Sequence, residues 1–279
     1  MCKTIERSYR GDVELIEFKI NREQAKTFLN AIGINRVEKT EEGLKLVIEK
    51  ALSTVPFTNI MMLVRPRRSP THEEIIEDMI SLKGGPCGHY NPFMKEVLRH
   101  CGFDSKLVPA WMKGKLSHMA INVRIEENNW WLDFGNGHPY LTPILIGSDS
   151  THTHAGLTYR IRANFDGKFT LEHLLPDDMS FSENYIFATE GVPFSFFDEM
   201  VQLHYTKPGF GPFLQGIRFI RFPEGEMLAV RDHQLLRTVN GKMKKEIIED
   251  ISKMEQIIDA SFQQATYPLR NGLGVLGWS

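Results

Sequence analysis

Apolar residues recur every three or four positions through much of the first 85 residues, and this spacing is typical of half-buried helices. One such stripe follows Thr40, a residue type that commonly caps helix N-termini. Its members are Leu44, Val47, Ile48, Ala51, Leu52 and Val55. A second helix is predicted to begin after Thr71, because Glu74 completes a capping box, and to end at Gly84-Gly85.

After Phe103 the pattern changes to alternation, which indicates β-strands with one buried face. The clearest strand alternates Met119, Ile121, Val123 and Ile125 with His118, Ala120, Asn122 and Arg124. Residues 126–129 are turn-forming, and residues 130–134 are predicted to return as a second strand. Further strands are predicted at 157–163, 216–222 and 227–230. A last helix is predicted from the stripe Ile247, Ile251, Met254 and Ile258, with the charges between 242 and 250 on its solvent face.

Composition narrows the class of protein. The chain has 279 residues, of which 42% are hydrophobic and 24% charged, and its net charge is −2. These values exclude a disordered or collagen-like chain and favour neither a nucleic-acid nor a membrane partner. The three cysteines, Cys2, Cys87 and Cys101, are too few and odd in number for a disulfide framework. The charged N-terminus lacks the apolar core of a signal peptide, so we expect a cytoplasmic enzyme or binding protein.

The most informative segment reads KGGPCGHYNP, residues 83–92. The apolar stripe Phe93, Val97, Leu98 and Cys101 follows it and indicates a helix that ends at Gly102. Because proline is tolerated in the first turn of a helix, Pro92 places Cys87 at or just before the helix N-terminus. There the helix dipole lowers the pKa of a thiol and favours the nucleophilic thiolate. Cys101 belongs to the stripe and is interpreted as a packing residue.

A nucleophilic thiol needs a base, and the base usually needs a carboxylate that orients it. His118 stands at the start of the clearest strand, and Asp133 stands on the returning strand. If these two residues pair directly, the turn centres on Ile125-Glu126. If residues 127–128 form the turn, the register shifts by two residues on each strand. Both registers keep His118 and Asp133 on one face. Only the first brings them within hydrogen-bonding distance, and the sequence does not choose between them.

Several segments match one enzyme family in order along the chain. They are Gly84-Gly85-Pro86-Cys87 with Asn91, then 117–120 (SHMA) and 131–137 (WLDFGNG), together with 55–59 (VPFTN) and a stretch from 207 to 242. Together they resemble the arylamine N-acetyltransferase family. The segment 55–59 is similar to that family's Ile-Pro-Phe-Glu-Asn, and the stretch from 207 to 242 is similar to its C-terminal lid. The likeness covers about Val55 to about Lys242.

The resemblance implies an α+β fold with a cysteine-protease-like core. It divides the chain into a helical domain (1–102), a β-barrel domain (103–205) and an α/β lid (206–279). It also implies a catalytic triad of Cys87, His118 and Asp133, with Phe57, Gly135 and Asn136 as substrate-binding residues.

The implied reaction is ping-pong: the thiolate takes acetyl from acetyl-CoA, CoA leaves, and an arylamine or arylhydrazine takes the acetyl group. O-acetylation of N-hydroxyarylamines belongs to the same expectation. Acetyl-CoA is then a co-substrate, with no permanently bound cofactor and no metal.

The chain departs from the family pattern near these residues. Lys83 replaces an arginine, His89 replaces a glutamate two residues after the cysteine, and Asn136 replaces an apolar residue. Lysine cannot reproduce the planar bidentate pairing of arginine. The acyl donor and acceptor therefore stay open. Two alternatives to an acetyl-CoA-dependent N-acetyltransferase therefore remain. One is an amide synthase or thiol hydrolase with the same triad, and the other is a non-catalytic binding module of the same fold.

Two other motifs are set aside. Residues 272–277 match the dinucleotide pattern GxGxxG, but only two residues follow, so the required helix cannot form after it. We interpret this segment as a flexible or pocket-edge tail. His152 and His154 lack further residues at metal-ligand spacing and are interpreted as loop residues.

Overall fold

The computed structural model describes residues 17–176, 178–239, 241–262 and 266–278. The N-terminal part is helical, and its helices begin where the capping residues predicted. Thr40 accepts a hydrogen bond from the Gly43 N–H, and Thr71 forms the expected capping box with Glu74. The helices are α1 (Arg22–Ala31), α2 (Glu41–Thr54), α3 (Ile60–Val64), α4 (His72–Ile80) and α5 (Cys87–His100). A two-residue strand, β1 (Phe57–Thr58), lies between α2 and α3.

The middle of the chain forms strands β2 to β9. They are β2 (Asp104–Met112), β3 (Lys115–Ile125), β4 (Asn128–Leu132), β5 (Ile144–Leu145), β6 (Thr151–His154), β7 (Leu157–Ala163), β8 (Phe169–Leu174) and β9 (Ser182–Phe187). Among the described residues they form an antiparallel eight-stranded sheet in the order β5-β4-β3-β2-β9-β8-β7-β6. The sheet curls around buried aromatic side chains, including Trp131, Tyr159 and Tyr185. Its other face packs on α5 through Met119, Ile121 and Val123.

The last part begins with α6 (Asp198–Thr206). Strands β10 (Arg218–Arg221), β11 (Leu228–Arg231), β12 (Gln234–Val239) and β13 (Lys242–Ile247) follow, and then α7 (Ile251–Ser261) and α8 (Leu269–Val275). Strand β1 pairs with β10, so the second sheet, β1-β10-β11-β12-β13, draws one strand from the helical part. The domain limits at 102 and 205 stay a prediction. In the part of the chain that the structure describes, no helix is long and apolar enough to cross a membrane.

Two predictions for the C-terminal part are wrong. Ile247 lies in β13 rather than in the last helix, and 59% of its surface is exposed. The charged residues before it belong to an exposed strand, which pairs through its backbone with β12. The segment around Gly272 is not a flexible tail, because it forms α8 and packs on α3. A Cβ atom at Gly272 would lie 2.4 Å from Ile60 Cδ1, so any larger residue there would require the Ile60 side chain to shift.

Candidate active site

Cys87 is the first residue of α5, as the sequence predicted, and its side chain is buried. The N–H groups of His89 and Tyr90 donate to the Pro86 carbonyl at 2.9 and 3.0 Å. The N–H groups of Cys87 and Gly88 make no hydrogen bond to any described residue. Such free amides at a helix start are suited to stabilising negative charge on a ligand. Pro92 falls in the second turn rather than the first, where it leaves the Gly88 carbonyl without its helical donor.

His118 and Asp133 are brought together by a register that lies between the two considered from the sequence. Ile125 pairs with Asn128, so Glu126 and Glu127 form the turn, with Glu126 at φ +53°. His118 and Asp133 are therefore diagonal neighbours on the same face of the sheet. Their side chains are joined by a hydrogen bond of 2.6 Å between His118 Nε2 and Asp133 Oδ2. Direct pairing is not needed for this contact, because diagonal side chains also reach each other.

The carboxylate of Asp133 is held by three other donors. Asn91 Nδ2 and the Gly135 N–H each donate to Oδ1 at 3.0 Å. The Tyr185 hydroxyl donates to Oδ2 at 2.8 Å, and its ring lies 5.1 Å from that of His118. These bonds fix the carboxylate, so that it can in turn orient the imidazole.

The charge of His118 follows from its two neighbours. Burial alone disfavours an imidazolium, but the charges of Asp133 and Cys87, with hydrogen bonds to both, raise the pKa of His118 to about 10. The ring is therefore an imidazolium at neutral pH. Because Nε2 faces Asp133, Nδ1 is the ring nitrogen available to Cys87.

The expected substrate-binding residues lie at different places in this region. Gly135 packs directly on the cysteine, since a Cβ atom there would lie 2.4 Å from Cys87 Cα. Phe57 lies in β1, and its ring centroid is 5.9 Å from that of Phe213. Asn136 turns its Oδ1 towards His138 and the Tyr140 hydroxyl. The contact of Gly135 is structural, and substrate binding by all three residues stays a prediction.

Substitution of Gly135 by alanine is expected to reduce both stability and activity. The new methyl group would overlap the backbone of Cys87, so α5 or the 133–137 loop must shift, at a cost of about 1–3 kcal/mol. Chemical denaturation measures the stability change. Gly147→Ala is a matched control for adding a methyl group, because a Cβ atom there meets nothing within 4 Å, although its φ of +89° adds backbone strain. A larger loss of activity in Gly147→Ala than in Gly135→Ala would contradict this account.

Helix α6 covers the thiol. Met200, Val201, His204 and Tyr205 of this helix enclose, with Cys87 and its neighbours, a cavity of about 10 Å³. That volume holds about one water molecule. The thiol of Cys87 is therefore largely covered in this conformation.

A larger cavity of about 220 Å³ lies elsewhere, along β2, β3 and the 189–191 loop, with Lys106, Asn122 and Arg124 in its wall. It contains no cysteine, and none of the three triad residues lines it. We therefore assign the chemistry to the small covered site, where a nucleophile and a base meet.

A second charged cluster lies on the opposite side of the helix start. Arg65 holds Asp78 through both carboxylate oxygens, and His89 Nε2 lies 3.3 Å from Asp78 Oδ2. Lys83 does not contact Asp78 through its ammonium group, because its Nζ lies 3.4 Å from Oε1 of the exposed Glu77. Arg65, which lies outside residues 83–88, thus makes the bidentate pairing with a carboxylate that a lysine at position 83 cannot make.

Sequence reasoning assigned no role to Asn91 or Tyr185. Asn91 lies one helical turn after Cys87, so its side chain was predictable as a neighbour of the cysteine. It bridges the Met119 carbonyl and Asp133. Tyr185 reaches Asp133 only because β9 pairs with β2 and β8, a long-range arrangement with no local signal.

Comparison with known proteins decides the family. A family model described as N-acetyltransferase matches residues 41–265. The chain belongs to the arylamine N-acetyltransferase family. Its acyltransferase class and its α+β fold, both expected from the sequence, are thereby confirmed.

The similar proteins are distant in sequence. An uncharacterized acetyltransferase of Bacillus subtilis (strain 168), YvcN, is 23% identical over 227 residues, which cover 77% of this chain and 88% of that protein. An arylamine N-acetyltransferase of Bacillus cereus, described as having a unique Cys-His-Glu catalytic triad, superposes with a TM-score of 0.74. It is 22% identical and covers 87% of this chain and 99% of its own. The Mycobacterium marinum arylamine N-acetyltransferase in complex with CoA gives a TM-score of 0.78 at 15% identity, over 90% and 98% of the two chains.

Proposed function

We propose that this acetyltransferase carries acetyl groups from acetyl-CoA to an arylamine or arylhydrazine, or to the oxygen of an N-hydroxyarylamine. The reaction proceeds by a ping-pong mechanism through acetyl-Cys87. The observation that carries the proposal is the buried chain of contacts from Cys87 through His118 to Asp133 at the start of α5. The CoA complex of the Mycobacterium marinum relative supports acetyl-CoA as the donor.

In the first half-reaction the Cys87 thiolate attacks the thioester carbonyl of acetyl-CoA. The charged His118 ring stabilises the thiolate beforehand, and Asp133 keeps that ring charged and oriented. The free N–H groups of Cys87 and Gly88 are placed to donate to the oxyanion of the tetrahedral intermediate. Collapse of this intermediate breaks the bond to the CoA sulfur, which leaves with the proton of His118 Nδ1, and the acetyl group stays on Cys87.

In the second half-reaction the acceptor nitrogen or oxygen attacks the acetyl carbonyl. The tetrahedral intermediate collapses with Cys87 as the leaving group, and the attacking atom loses its proton to Nδ1 of His118. The thiolate that forms is stabilised again by His118. Splitting the transfer into two steps means that donor and acceptor never need to occupy the covered site together.

Initial-rate kinetics with acetyl-CoA and a panel of arylamines, hydrazines and N-hydroxyarylamines tests the proposal. We expect parallel double-reciprocal lines, because CoA leaves before the acceptor binds. Intersecting lines would indicate a ternary complex and overturn the covalent mechanism. Acyl carrier proteins and peptides serve as comparison donors, and turnover with one of these but not with acetyl-CoA would favour an amide synthase or a thiol hydrolase.

A further inference from the structure

Two arginines lie opposite each other in the second sheet, and neither is paired with a carboxylate. Arg218 of β10 pairs directly with Arg231 of β11 in the antiparallel register. Side chains in such positions lie about 5 Å apart at Cβ, and like charges there destabilise a sheet. In the part of the chain that the structure describes, no ion pair includes either guanidinium group. The fold therefore keeps two like charges together without compensating them.

Arg218 is only partly exposed, which makes the lack of a partner more costly. Its Nε atom is buried and has no hydrogen-bond partner among the described residues. Burial and the charge of Arg231 lower the pKa of Arg218, but an arginine stays charged at neutral pH. Asp232 opposes this shift more weakly, and its Oδ1 accepts the Ile217 N–H at 3.0 Å. A buried charged donor is unfavourable unless an acceptor, such as an anionic ligand, pairs with it.

Another like-charge pair in the same sheet has a different environment. Arg237 of β12 lies opposite Lys244 of β13, and both residues are exposed. Water and salt screen such a pair, so it needs no bound anion. Arg237 pairs with Leu228, three residues before Arg231, and therefore lies on the other face of the sheet. Arg237 is thus a control for the removal of positive charge alone.

The pair of Arg218 and Arg231 lies beside the loop that contacts the nucleophile. Arg218 shares one face of β10 with Ile220, because side chains alternate along a strand. A Cβ atom at Gly137 would lie 3.3 Å from Ile220 Cδ1, so this part of the loop packs on β10. Two residues earlier, Gly135 of the same loop packs on Cys87. The two arginines therefore lie at the edge of the active site.

Arg231 approaches the same loop from β11. Burial and the charge of Arg231 lower the pKa of His138 to about 4. The ring of His138 is therefore uncharged at neutral pH, and its Nδ1 hydrogen bonds to Asn136 Oδ1. Neither residue supplies a negative charge that could compensate the arginines.

Resting on the proposed function, we propose that Arg218 and Arg231 form an anion subsite, which binds a phosphate or carboxylate group of a substrate. Guanidinium groups bind both kinds of anion through charge-assisted and often bidentate hydrogen bonds. The subsite takes no part in bond making. It holds the charged end of a substrate while the reacting thioester or amine lies at Cys87. The proposed reaction offers two sources of the anion, the phosphates of acetyl-CoA and a carboxylate on the arylamine.

Two pairs of ligands distinguish these sources in binding experiments that need no turnover. CoA is compared with pantetheine, which lacks the phosphates, and 4-aminobenzoate is compared with 4-aminobenzamide, which lacks the negative charge. We expect Arg231→Gln to weaken binding of an anionic ligand at least about tenfold, and binding of its uncharged counterpart less than about threefold. Isothermal titration calorimetry measures each dissociation constant.

Three controls separate an anion subsite from a structural role. Arg231→Lys keeps the charge without the planar guanidinium and should recover part of the lost affinity. Native affinity for the anionic ligand should fall as salt is added, and this dependence should be weaker in Arg231→Gln. Arg237→Gln should bind all four ligands within about twofold of the native affinity, because this arginine is exposed on the other face.

Each outcome decides the subsite or the proposed function. Weaker binding of CoA assigns the anion to the donor, and weaker binding of 4-aminobenzoate assigns it to the acceptor. Equal losses for a charged ligand and its uncharged counterpart, or no loss for either charged ligand, would overturn the subsite. Native binding of neither charged ligand would also overturn it. Charge-dependent binding without acetyl transfer from acetyl-CoA to any arylamine would support the subsite and overturn the proposed function.

Discussion

Replacement of Cys87 by serine is expected to reduce acetyl transfer by at least about 10⁴-fold, as is typical when the nucleophile of a triad is lost. A serine hydroxyl holds its proton far more strongly than a thiol, so the pair with His118 would hold no nucleophilic anion at neutral pH. The substitution changes one atom in a buried site and should leave the fold intact. Turnover of acetyl-CoA with an arylamine acceptor measures the effect.

Cys101→Ser is the matched control for this substitution. Cys101 is the C-cap residue of the same helix, and burial raises the pKa of its thiol to about 11. This thiol therefore stays protonated and unreactive, and we expect turnover within about twofold of the native value in Cys101→Ser. Activity that survives in Cys87→Ser, or is lost in Cys101→Ser, would place the nucleophile elsewhere.

Asp133→Asn is expected to lower kcat by about 10³–10⁴-fold, the range found for the orienting carboxylate of a triad. The amide is close in size to the carboxylate but carries no charge, so it cannot hold His118 as an imidazolium. In the native chain the pKa of His118 is about 10, and activity should persist to that pH on the alkaline side. In Asp133→Asn the alkaline limb should move towards the ordinary pKa of about 6.5.

The pairing of His118 with Asp133 also predicts how the stability of the fold depends on pH. Folding raises the pKa of His118, so the charged ring stabilises the folded state. This contribution to the free energy of unfolding is fully present below pH about 6.5 and is lost as the pH rises to about 10. Urea denaturation across this range should show the decline in the native chain and less of it in Asp133→Asn. Asp133→Glu restores the charge and should recover part of the activity. An alkaline limb that does not move in Asp133→Asn would contradict the imidazolium account.

Local signals predicted the elements that carry the site. The caps at Thr40 and Thr71 and the glycines before Cys87 act within a few residues, so sequence spacing was enough to place them. The side chains that complete the site depend on long-range contacts. Tyr185 reaches Asp133 through the pairing of β9, and Tyr205 reaches His89 through the packing of α6.

Register was the least predictable local feature. His118 and Asp133 were expected to be in contact only if they paired directly. The observed register makes them diagonal neighbours, and a hydrogen bond of 2.6 Å joins His118 Nε2 to Asp133 Oδ2. The period of two fixed their common face, while the turn at Glu126 and Glu127 decided the offset. The prediction that Ile247 belongs to the last helix was wrong for a related reason. Four apolar residues at helical spacing do not show that the first of them lies in a strand, and Ile247 pairs with β12.

The structure gives a physical reason for two departures from the family pattern, those at Lys83 and His89. Lys83 lies against Glu77, and Arg65 takes the buried carboxylate of Asp78 instead. His89 is then placed between Asp78 and Tyr205, where a glutamate would meet a second carboxylate. The change at residue 89 is thus compatible with an intact site and supports a working enzyme over a binding module.

The central claim is that Cys87 carries the acetyl group, and intact-protein mass spectrometry tests it most directly. The native chain and Cys87→Ser are each exposed briefly to acetyl-CoA without any acceptor. We expect one added acetyl group on the native chain, none on Cys87→Ser, and loss of the adduct when an arylamine is added. An unmodified native chain, or an equal adduct on both proteins, would contradict it.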